Sequence, residues 1–246
     1  MLTLHAPAKI NWFLNVFGKR EDGYHAIVSL MQCITLSDIL TFEHSPDTEL
    51  ITETPIPVKD NLVYRALLLL KKVSGMKDGA RITLKKKIPM AAGLGGGSSD
   101  AACTLKGLNM LWKLGMTTAE LAKLGETLGS DVPFFFYGPM AYVEGRGEIV
   151  SPVPAKKSCQ LVLVKPPVDV STAWAYGERD NNRDDKEYQS EGVLTKEENR
   201  YRLFYFALER GDYSQLSNLR RNDLEPIVLR RYPVIGDIQR ALTQGG

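Results

Sequence analysis

Residues 89–99 have the sequence PMAAGLGGGSS, and this stretch carries most of the information about the fold. A strand-like stretch, ARITLKKKI at 80–88, precedes it, and Pro89 ends that strand because proline has no N–H to donate. After the glycines, Ser98 or Ser99 can cap a helix. The order strand, glycine-rich loop and helix predicts an anion site, since backbone N–H groups of the loop and of the helix start can surround a phosphate.

Two better-known phosphate loops do not match this stretch. A P-loop ends in Gly-Lys-Ser/Thr, and no lysine follows Gly97. A dinucleotide fingerprint GxGxxG that starts at Gly93 meets Ser98 at its sixth position. From the residues alone, an ordinary glycine-rich turn therefore stays open beside a triphosphate site, in which the serine hydroxyls would meet a phosphate or a magnesium ion.

The composition is that of an ordinary globular protein. Of the 246 residues, 43% are hydrophobic and 24% are charged, which allows a sizeable core. Lys plus Arg total 31 and Asp plus Glu total 29, so the net charge of +2 argues against a nucleic-acid partner. The three cysteines form no CxxC pair, and no apolar run is long enough to cross a membrane. A cytoplasmic chain without a signal peptide or a membrane partner is predicted.

Near the N-terminus, residues 8–16 alternate with period two and predict a β-strand. One face of this strand would be apolar and meet the core, with Ile10, Trp12, Leu14 and Val16. The opposite face would carry Lys9, Asn11, Phe13 and Asn15, so that Lys9 and Asn11 lie side by side.

In the remaining chain, helical and extended patterns follow each other without a regular βαβ order. An apolar, strand-like run begins at 130–133, and residues 160–164 predict another strand. Residues 177–199 are dense in charge and predict an exposed loop, whereas 200–244 predict helices. This mixture predicts an α+β fold with two lobes.

The glycine-rich stretch, continued as GLGGGSSDAA to residue 102, resembles an expanded form of the second motif of the GHMP kinases. That expansion, PAKIN at 7–11, DGYH at 22–25 and the segment 128–148 are similar to the GHMP kinases that phosphorylate 4-diphosphocytidyl-2-C-methyl-D-erythritol. The resemblance runs almost continuously from residue 6 to about 176. It implies ATP-dependent phosphorylation of the 2-hydroxyl of that cytidine diphosphate-linked polyol, in the non-mevalonate synthesis of isoprenoid precursors.

The resemblance also implies the domain organisation. Residues 1–154 would form the N-terminal, nucleotide-binding lobe, and 155–246 a smaller C-terminal substrate lobe. GHMP kinases carry a third glycine-rich motif of the Gly-Ser-Gly-Pro type near the C-terminus, and no such motif occurs before Gly246. The C-terminal lobe is therefore expected to be truncated.

A catalytic pair is implied by the same resemblance. Asp131 matches the base that takes the proton from the acceptor hydroxyl, and Lys9 matches its partner. The residues alone favour a surface turn aspartate for Asp131 and an exposed strand lysine for Lys9, and only the resemblance reverses this.

For ATP, the resemblance implies contacts along the whole loop and at two residues outside it. Magnesium is inferred from the chemistry of phosphoryl transfer, with unknown protein ligands. Lys87 closes the basic run 85–87, for which a solvated strand end stays open as the alternative. The implied ATP contacts are Pro89, Met90, Ala91, Ala92, Gly93, Leu94, Gly95, Gly96, Gly97, Ser98 and Ser99, with Asn61 and Lys87.

For the acceptor, the resemblance places Tyr24 and His25 at the cytidine, where a ring can stack on the base and an imidazole can bind its edge. Asn11 would bind the reacting end, and Thr172 and Tyr176 match positions near the substrate. Two other functions stay open: a GHMP kinase for homoserine, mevalonate or a sugar, and a non-catalytic nucleotide- or RNA-binding module. The oligomeric state is not predicted.

Overall fold

The two halves of the chain differ in their elements. A computed structural model describes residues 1–155, 158–181 and 191–244, with the backbone alone for 191–200 and 213. The first half forms a six-stranded sheet with helices against it, and the described elements after residue 158 are all helices. The strands are β1 (Leu2–Lys19), β2 (His25–Ser45), β3 (Glu49–Thr52), β4 (Gly79–Lys85), β5 (Met140–Glu144) and β6 (Ile149–Pro152).

The long strand β2 organises the sheet. It pairs antiparallel with β1 along most of its length, with β5 near its start and with β4 near its end. β3 runs parallel to β4, and β6 runs antiparallel to β5, which gives the order β3-β4-β2-β5-β6 with β1 paired to β2. In the β1–β2 register, Lys9 lies opposite Cys33 and Asn11 opposite Met31.

Three helices of the first half lie against this sheet and enclose the main core: α1 (Leu62–Ser74), α2 (Gly96–Leu111) and α4 (Phe134–Tyr137). The α3 helix (Thr118–Glu126) packs on these helices. α2 contacts β1, β2 and α1, so its buried side chains Leu105 and Leu108 join Leu67 of α1 and Phe42 of β2 in one apolar cluster. The α3 helix begins with a complete capping box between Thr117 and Glu120, as their spacing indicates.

The helices of the second half pack on the other side of β1. Phe204 lies against Phe13, with ring centroids 5.7 Å apart. Residues 221–223 run along β1, where Leu14 N donates to Arg221 O at 2.7 Å and Asp223 N donates to Leu14 O at 3.0 Å. The helices are α5 (Thr172–Asn181), α6 (Glu191–Arg210), α7 (Tyr213–Leu219), α8 (Glu225–Arg231) and α9 (Pro233–Gln244).

The strand predicted at 8–16 exists, and Leu14 and Val16 lie in the core as predicted, but the rest of the face assignment is wrong. Phe13 and Asn15, expected on the polar face, are 1% and 2% exposed. Bulges in the pairing with β2 interrupt the strict alternation, and the α6 side chains cover the second face. Ile10 and Trp12, expected in the core, are half-buried.

Two local predictions around the loop and the turn are also wrong. α2 begins at Gly96 with Gly95 at its N-cap, so Ser98 and Ser99 lie within the first turn instead of capping it. The strand-like run after residue 130 is a helical turn, because Pro133 has φ −56° and ψ −37°, the geometry that proline brings to a helix start.

Two predictions in the second half are wrong as well. Residues 160–164 form no strand, because no described segment pairs with them, and Val162 is 83% exposed. A loop was expected at 177–199, but α5 continues to Asn181 and α6 begins at Glu191. The Glu, Lys and Arg residues of this segment are good helix formers. Residues 182–190 lie outside the described part of the chain.

The predicted α+β fold class is confirmed. The helices predicted for 200–244 are present as the end of α6 and as α7 to α9. The boundary between residues 154 and 155 and a cytoplasmic location stay predictions. Among the described residues, no helix combines the length and the apolar character that crossing a membrane requires.

Candidate active site

The glycine-rich loop lies directly on the strand that carries Lys9. Leu94, 7% exposed, is buried with Ala8 and Ile88, and its carbonyl accepts from Lys9 N at 2.9 Å. Gly95 has φ +67°, and a Cβ built on it would lie 2.9 Å from Lys9 Cγ. Only glycine therefore fits between the loop and the lysine stem.

Lys9 and Asp131 are brought together, although they come from distant parts of the sequence. Lys9 Nζ lies 3.5 Å from Asp131 Oδ2 and donates to Asn11 Oδ1 at 2.5 Å. The lysine side chain is 9% exposed, whereas the Asp131 side chain is 31% exposed. A buried cation thus holds a carboxylate that faces outward, as a proton acceptor for a bound alcohol requires.

Asn11 is held in turn by a short hydrogen-bond chain. Its Nδ2 donates to Ser29 Oγ at 2.9 Å, and Ser29 Oγ donates to Phe13 O at 2.7 Å. The β1 strand therefore presents Lys9 and Asn11 in fixed orientations, as the predicted side-by-side placement requires.

A second group of side chains lies next to Asp131. Burial and the nearby Asp131 carboxylate raise the pKa of the Tyr176 hydroxyl. The Tyr176 ring stacks on His25, with centroids 5.1 Å apart and an interplanar angle of 27°. His25 Nε2 lies 2.6 Å from Asp180 Oδ1, which joins the start of β2 to α5. Thr172 is exposed and lies one helical turn before Tyr176.

Tyr24 presents an aromatic surface beside this group. Its side chain is 50% exposed, and Arg146 Cζ lies 4.8 Å from its ring centroid. Arg146 is fixed in turn, because Nη2 donates to Glu126 Oε1 at 3.0 Å and its backbone N–H donates to Glu148 Oε2 at 2.6 Å. The guanidinium therefore supports the Tyr24 ring by a cation–π contact.

The two ATP candidates outside the loop flank it from β4 and from α1. Asn61 caps α1, with Oδ1 accepting from Val63 N at 3.0 Å, so its carbonyl oxygen is already occupied. Its neighbour Leu62 lies 3.4 Å from a Cβ built on Gly97. The Lys87 side chain is exposed at the loop start, and its backbone N–H donates to Asp38 Oδ1 at 2.5 Å.

Beneath the loop lies a buried ionic network of Asp38, Lys86 and Asp100. The Lys86 ammonium donates to Asp38 Oδ2 and, at 2.8 Å, to Asp100 Oδ2. Burial raises the pKa of Asp100 to about 7, against the opposing effect of the Lys86 charge. Among the described residues, Asp100 Oδ1 has no hydrogen-bond partner, which leaves an oxygen that a proton can occupy.

The raised pKa of Asp100 predicts how the free energy of unfolding depends on pH. The Asp100 pKa is about 7 in the folded protein against 3.8 for an unperturbed aspartate. The folded state therefore binds the extra proton and loses stability as the pH rises from about 4 to about 7. Asp100→Asn keeps the shape without the ionisation. Relative to the wild type, we expect its free energy of unfolding to rise between pH 5 and pH 8 by at least ~1.4 kcal/mol, the equivalent of one pKa unit.

Urea unfolding of both proteins at a series of pH values measures this difference. Glu49→Gln is the control, because Glu49 is surface-exposed and its pKa is lowered from 4.5, so its ionisation is complete throughout this range. A stability difference between wild type and Asp100→Asn that does not change between pH 5 and pH 8 would contradict the assignment.

The sequence-based interpretation missed several residues of this region. Arg146 and Asp180 reach Tyr24 and His25 only through tertiary contacts. Lys86, in the basic run, and Asp100, in the motif, were visible as residue types, but their pairing with Asp38 requires the register of β2 and β4. In the described residues, no group of three or more His, Cys, Asp or Glu side chains has the arrangement of a metal site.

Comparison with known proteins assigns the family. The model of the GHMP kinase N-terminal domain matches residues 61–139. A protein of Thermodesulfovibrio yellowstonii named 4-diphosphocytidyl-2-C-methyl-D-erythritol kinase is 47% identical over 100% of this chain and 84% of its own length. The protein of the same name from Geobacillus kaustophilus is 40% identical, over 100% of this chain and 82% of its own length.

Solved structures agree with these relatives. The crystal structure of a 4-(cytidine 5'-diphospho)-2C-methyl-D-erythritol kinase has a TM-score of 0.71 and 32% identity, over 98% of this chain and 84% of that one. A homoserine kinase from Cytophaga hutchinsonii, with a TM-score of 0.68 and 18% identity over 100% of this chain and 79% of its own, shares the fold. This chain is therefore a small-molecule kinase of the GHMP superfamily and belongs to the 4-diphosphocytidyl-2-C-methyl-D-erythritol kinase family, as its motifs predicted.

Proposed function

We infer that this chain transfers the γ-phosphoryl group of ATP to the 2-hydroxyl of 4-diphosphocytidyl-2-C-methyl-D-erythritol, releasing ADP. The observation that carries this inference is the placement of Lys9. It touches the phosphate loop through Leu94 and Gly95, and it holds Asp131 at 3.5 Å. A triphosphate bound to the loop and an alcohol bound at Asp131 would therefore both lie next to Lys9.

In the transfer itself, Asp131 acts on the acceptor. Its carboxylate accepts the proton of the 2-hydroxyl while the oxygen forms a bond to the γ-phosphorus and the bond to the β-phosphate oxygen breaks. Lys9 lies 3.5 Å from the Asp131 carboxylate and offers positive charge where the transferred group becomes most negative. Asn11, fixed by Ser29, orients the lysine and is the second polar group at the reacting end.

At the other end, backbone N–H groups of the loop and of the first turn of α2 bind the phosphates. Ser99 Oγ is buried and has no partner among the described residues, so it can serve an incoming ligand. The Ser98 and Ser99 hydroxyls would be the groups of this chain that hold a magnesium ion bound with the phosphates, and such an ion would neutralise phosphate charge. Adenine would lie between Asn61 and Lys87, which flank the loop.

The cytidine end is assigned to Tyr24, His25 and Tyr176. The exposed face of Tyr24 can stack on the cytosine, while His25, fixed by Asp180, supplies a hydrogen-bonding edge. Tyr176 connects this end to Asp131, and Thr172 lies one turn away on the same helix. The small-molecule substrate is thus a nucleoside diphosphate-linked polyol.

This assignment predicts a selective effect of Tyr24→Leu. Stacking on an aromatic ring is worth ~1–3 kcal/mol per base, so the KM for the cytidyl substrate should rise roughly tenfold or more. The KM for ATP should stay unchanged, because the contacts of the Tyr24 ring are with Arg146 and not with the loop. Steady-state kinetics in both substrates tests this, with Tyr24→Phe as the control that keeps the ring. Equal acceptor KM values for the Leu and Phe variants would contradict stacking.

The chemical outcome can be tested on the product. We expect the reaction with Mg-ATP to give one new phosphomonoester signal in the ³¹P spectrum, coupled to carbon 2 of the methylerythritol unit. A phosphate on any other oxygen, or hydrolysis of ATP without a phosphorylated acceptor, would contradict the proposed reaction.

A further inference from the structure

The Asp38–Lys86–Asp100 network connects the two ends of the phosphate loop. Asp38, on β2, is fully buried and accepts from the backbone N–H groups of Lys87 at 2.5 Å and Ile88 at 2.9 Å, immediately before the loop. Asp100, on α2, follows the loop. Because the Lys86 ammonium binds both carboxylates, one side chain joins the beginning and the end of the loop.

The same lysine also touches the loop from below. A Cβ built on Gly96 would lie 3.2 Å from Lys86 Nζ and 3.0 Å from Ile88 Cγ2. The first residue of α2 therefore rests on the ammonium and on the residue that Asp38 holds. Lys86 thus lies directly under the helix start, whose N–H groups are the anion-binding groups.

The middle of the loop contacts Lys9, the proposed catalytic lysine. Between the two tethered ends, Leu94 O accepts from Lys9 N, and Gly95 contacts the Lys9 stem. The loop is thus held at both ends by the network and in its middle by β1. Burial leaves Lys86 little access to solvent, since its side chain is 18% exposed and two of its donors are occupied by carboxylates.

We propose that Lys86, through its bonds to Asp38 and Asp100, is a positioning residue that holds the glycine-rich loop in the conformation that binds the phosphates of ATP. Its role differs from that of Lys9, because it acts through the backbone of the loop and not by contact with the transferred group. The proposal rests on the proposed function only in taking ATP as the ligand of the loop.

Lys86→Met tests the proposal, because methionine keeps most of the side-chain volume and removes the charge. We expect the Kd for Mg-ATP, measured by calorimetric titration, to rise roughly tenfold or more, since a displaced loop loses at least one charge-assisted hydrogen bond to the phosphates and such a bond is worth about this factor in affinity. The KM for the cytidyl substrate should stay within about twofold of the wild-type value. Partial unfolding would lower the number of binding sites without changing the Kd, so the two effects separate.

Arg81→Met, on the β4 strand that leads to Lys86, provides the matched control. Arg81 is also a cation paired with a carboxylate, at 2.7 Å from Glu49, but this pair is exposed and does not touch the loop. Its Kd for Mg-ATP should equal that of the wild type. Asp100→Leu is the second variant, which cuts the connection from the other side and should also weaken Mg-ATP binding.

The Kd values of the two variants for Mg-ATP decide whether Lys86 positions the loop. A Kd within about twofold of wild type in folded Lys86→Met overturns the positioning role, and so does tighter ATP binding by Asp100→Leu, which would mean that Lys86 binds the phosphates once released. If Lys86→Met does not fold, Asp100→Leu alone decides by the same criterion. A wild-type chain that does not bind Mg-ATP contradicts the proposed function as well as this inference.

Discussion

Replacing Asp131 by Asn is expected to lower kcat by roughly 10²- to 10⁴-fold, the contribution typical of a positioned general base. Asparagine keeps the shape of the side chain and can still accept a hydrogen bond from Lys9, which lies 3.5 Å from the carboxylate. It cannot take up the proton of the acceptor hydroxyl. The Kd for Mg-ATP should therefore stay near the wild-type value, because the loop that binds the phosphates is unchanged.

Single-turnover kinetics with saturating acceptor measures this effect on the chemical step. Asp212→Asn is a suitable control, because Asp212 caps α7 by accepting from Gln215 N at 3.0 Å, far from the loop, and asparagine caps equally well. An Asp131→Asn protein that retains more than a tenth of the wild-type rate would contradict the role of Asp131 as base.

The second large effect is expected for Gly95→Ala. Its φ of +67° already disfavours a side chain, and the new Cβ would lie 2.9 Å from Lys9 Cγ and 3.1 Å from Phe135 Cζ. Either the loop or the lysine must move, and a displacement of about 1 Å can cost roughly 10² in rate. We expect kcat/KM for ATP to fall by about this factor, with a stability loss of ~1–2 kcal/mol from the left-handed backbone.

Gly75→Ala is the control that separates backbone strain at a left-handed residue from displacement of the loop or of Lys9. Gly75 ends α1 with φ +68°, and a Cβ there would meet nothing within 4 Å. It should lose similar stability in urea unfolding and keep its kinetic constants. Equal losses of kcat/KM in the two variants would show that backbone strain, and not contact with Lys9, causes the effect.

Much of the site could be predicted because its signals are local. The glycine cluster between a strand and a helix is visible in eleven consecutive residues, and the period-two pattern of β1 places Lys9 beside Asn11. Bulges shift the alternation of β1, yet Lys9 still donates to Asn11. The role of Asp131 was different, since a single aspartate in a turn has no local signature and only the resemblance to a family pointed to it.

The remaining features depend on contacts between distant segments. Whether Phe13 is buried depends on α6, which reaches β1 only in the folded chain. Lys86 lies in a run of three lysines that suits a solvated strand end, and only the approach of Asp38 and Asp100 turns it into a buried ion pair. For residues 160–164 the apolar pattern indicated a strand, but strand formation also needs a pairing neighbour, which the described residues do not supply.

The most direct test of the central claim is the rate of ADP release from Mg-ATP by this chain with three acceptors: 4-diphosphocytidyl-2-C-methyl-D-erythritol, mevalonate and homoserine. We expect turnover with the cytidyl substrate alone, because only that acceptor offers both a base to Tyr24 and His25 and a hydroxyl to Asp131. Turnover with mevalonate or homoserine at a comparable rate, or ADP release that is independent of the acceptor, would contradict it.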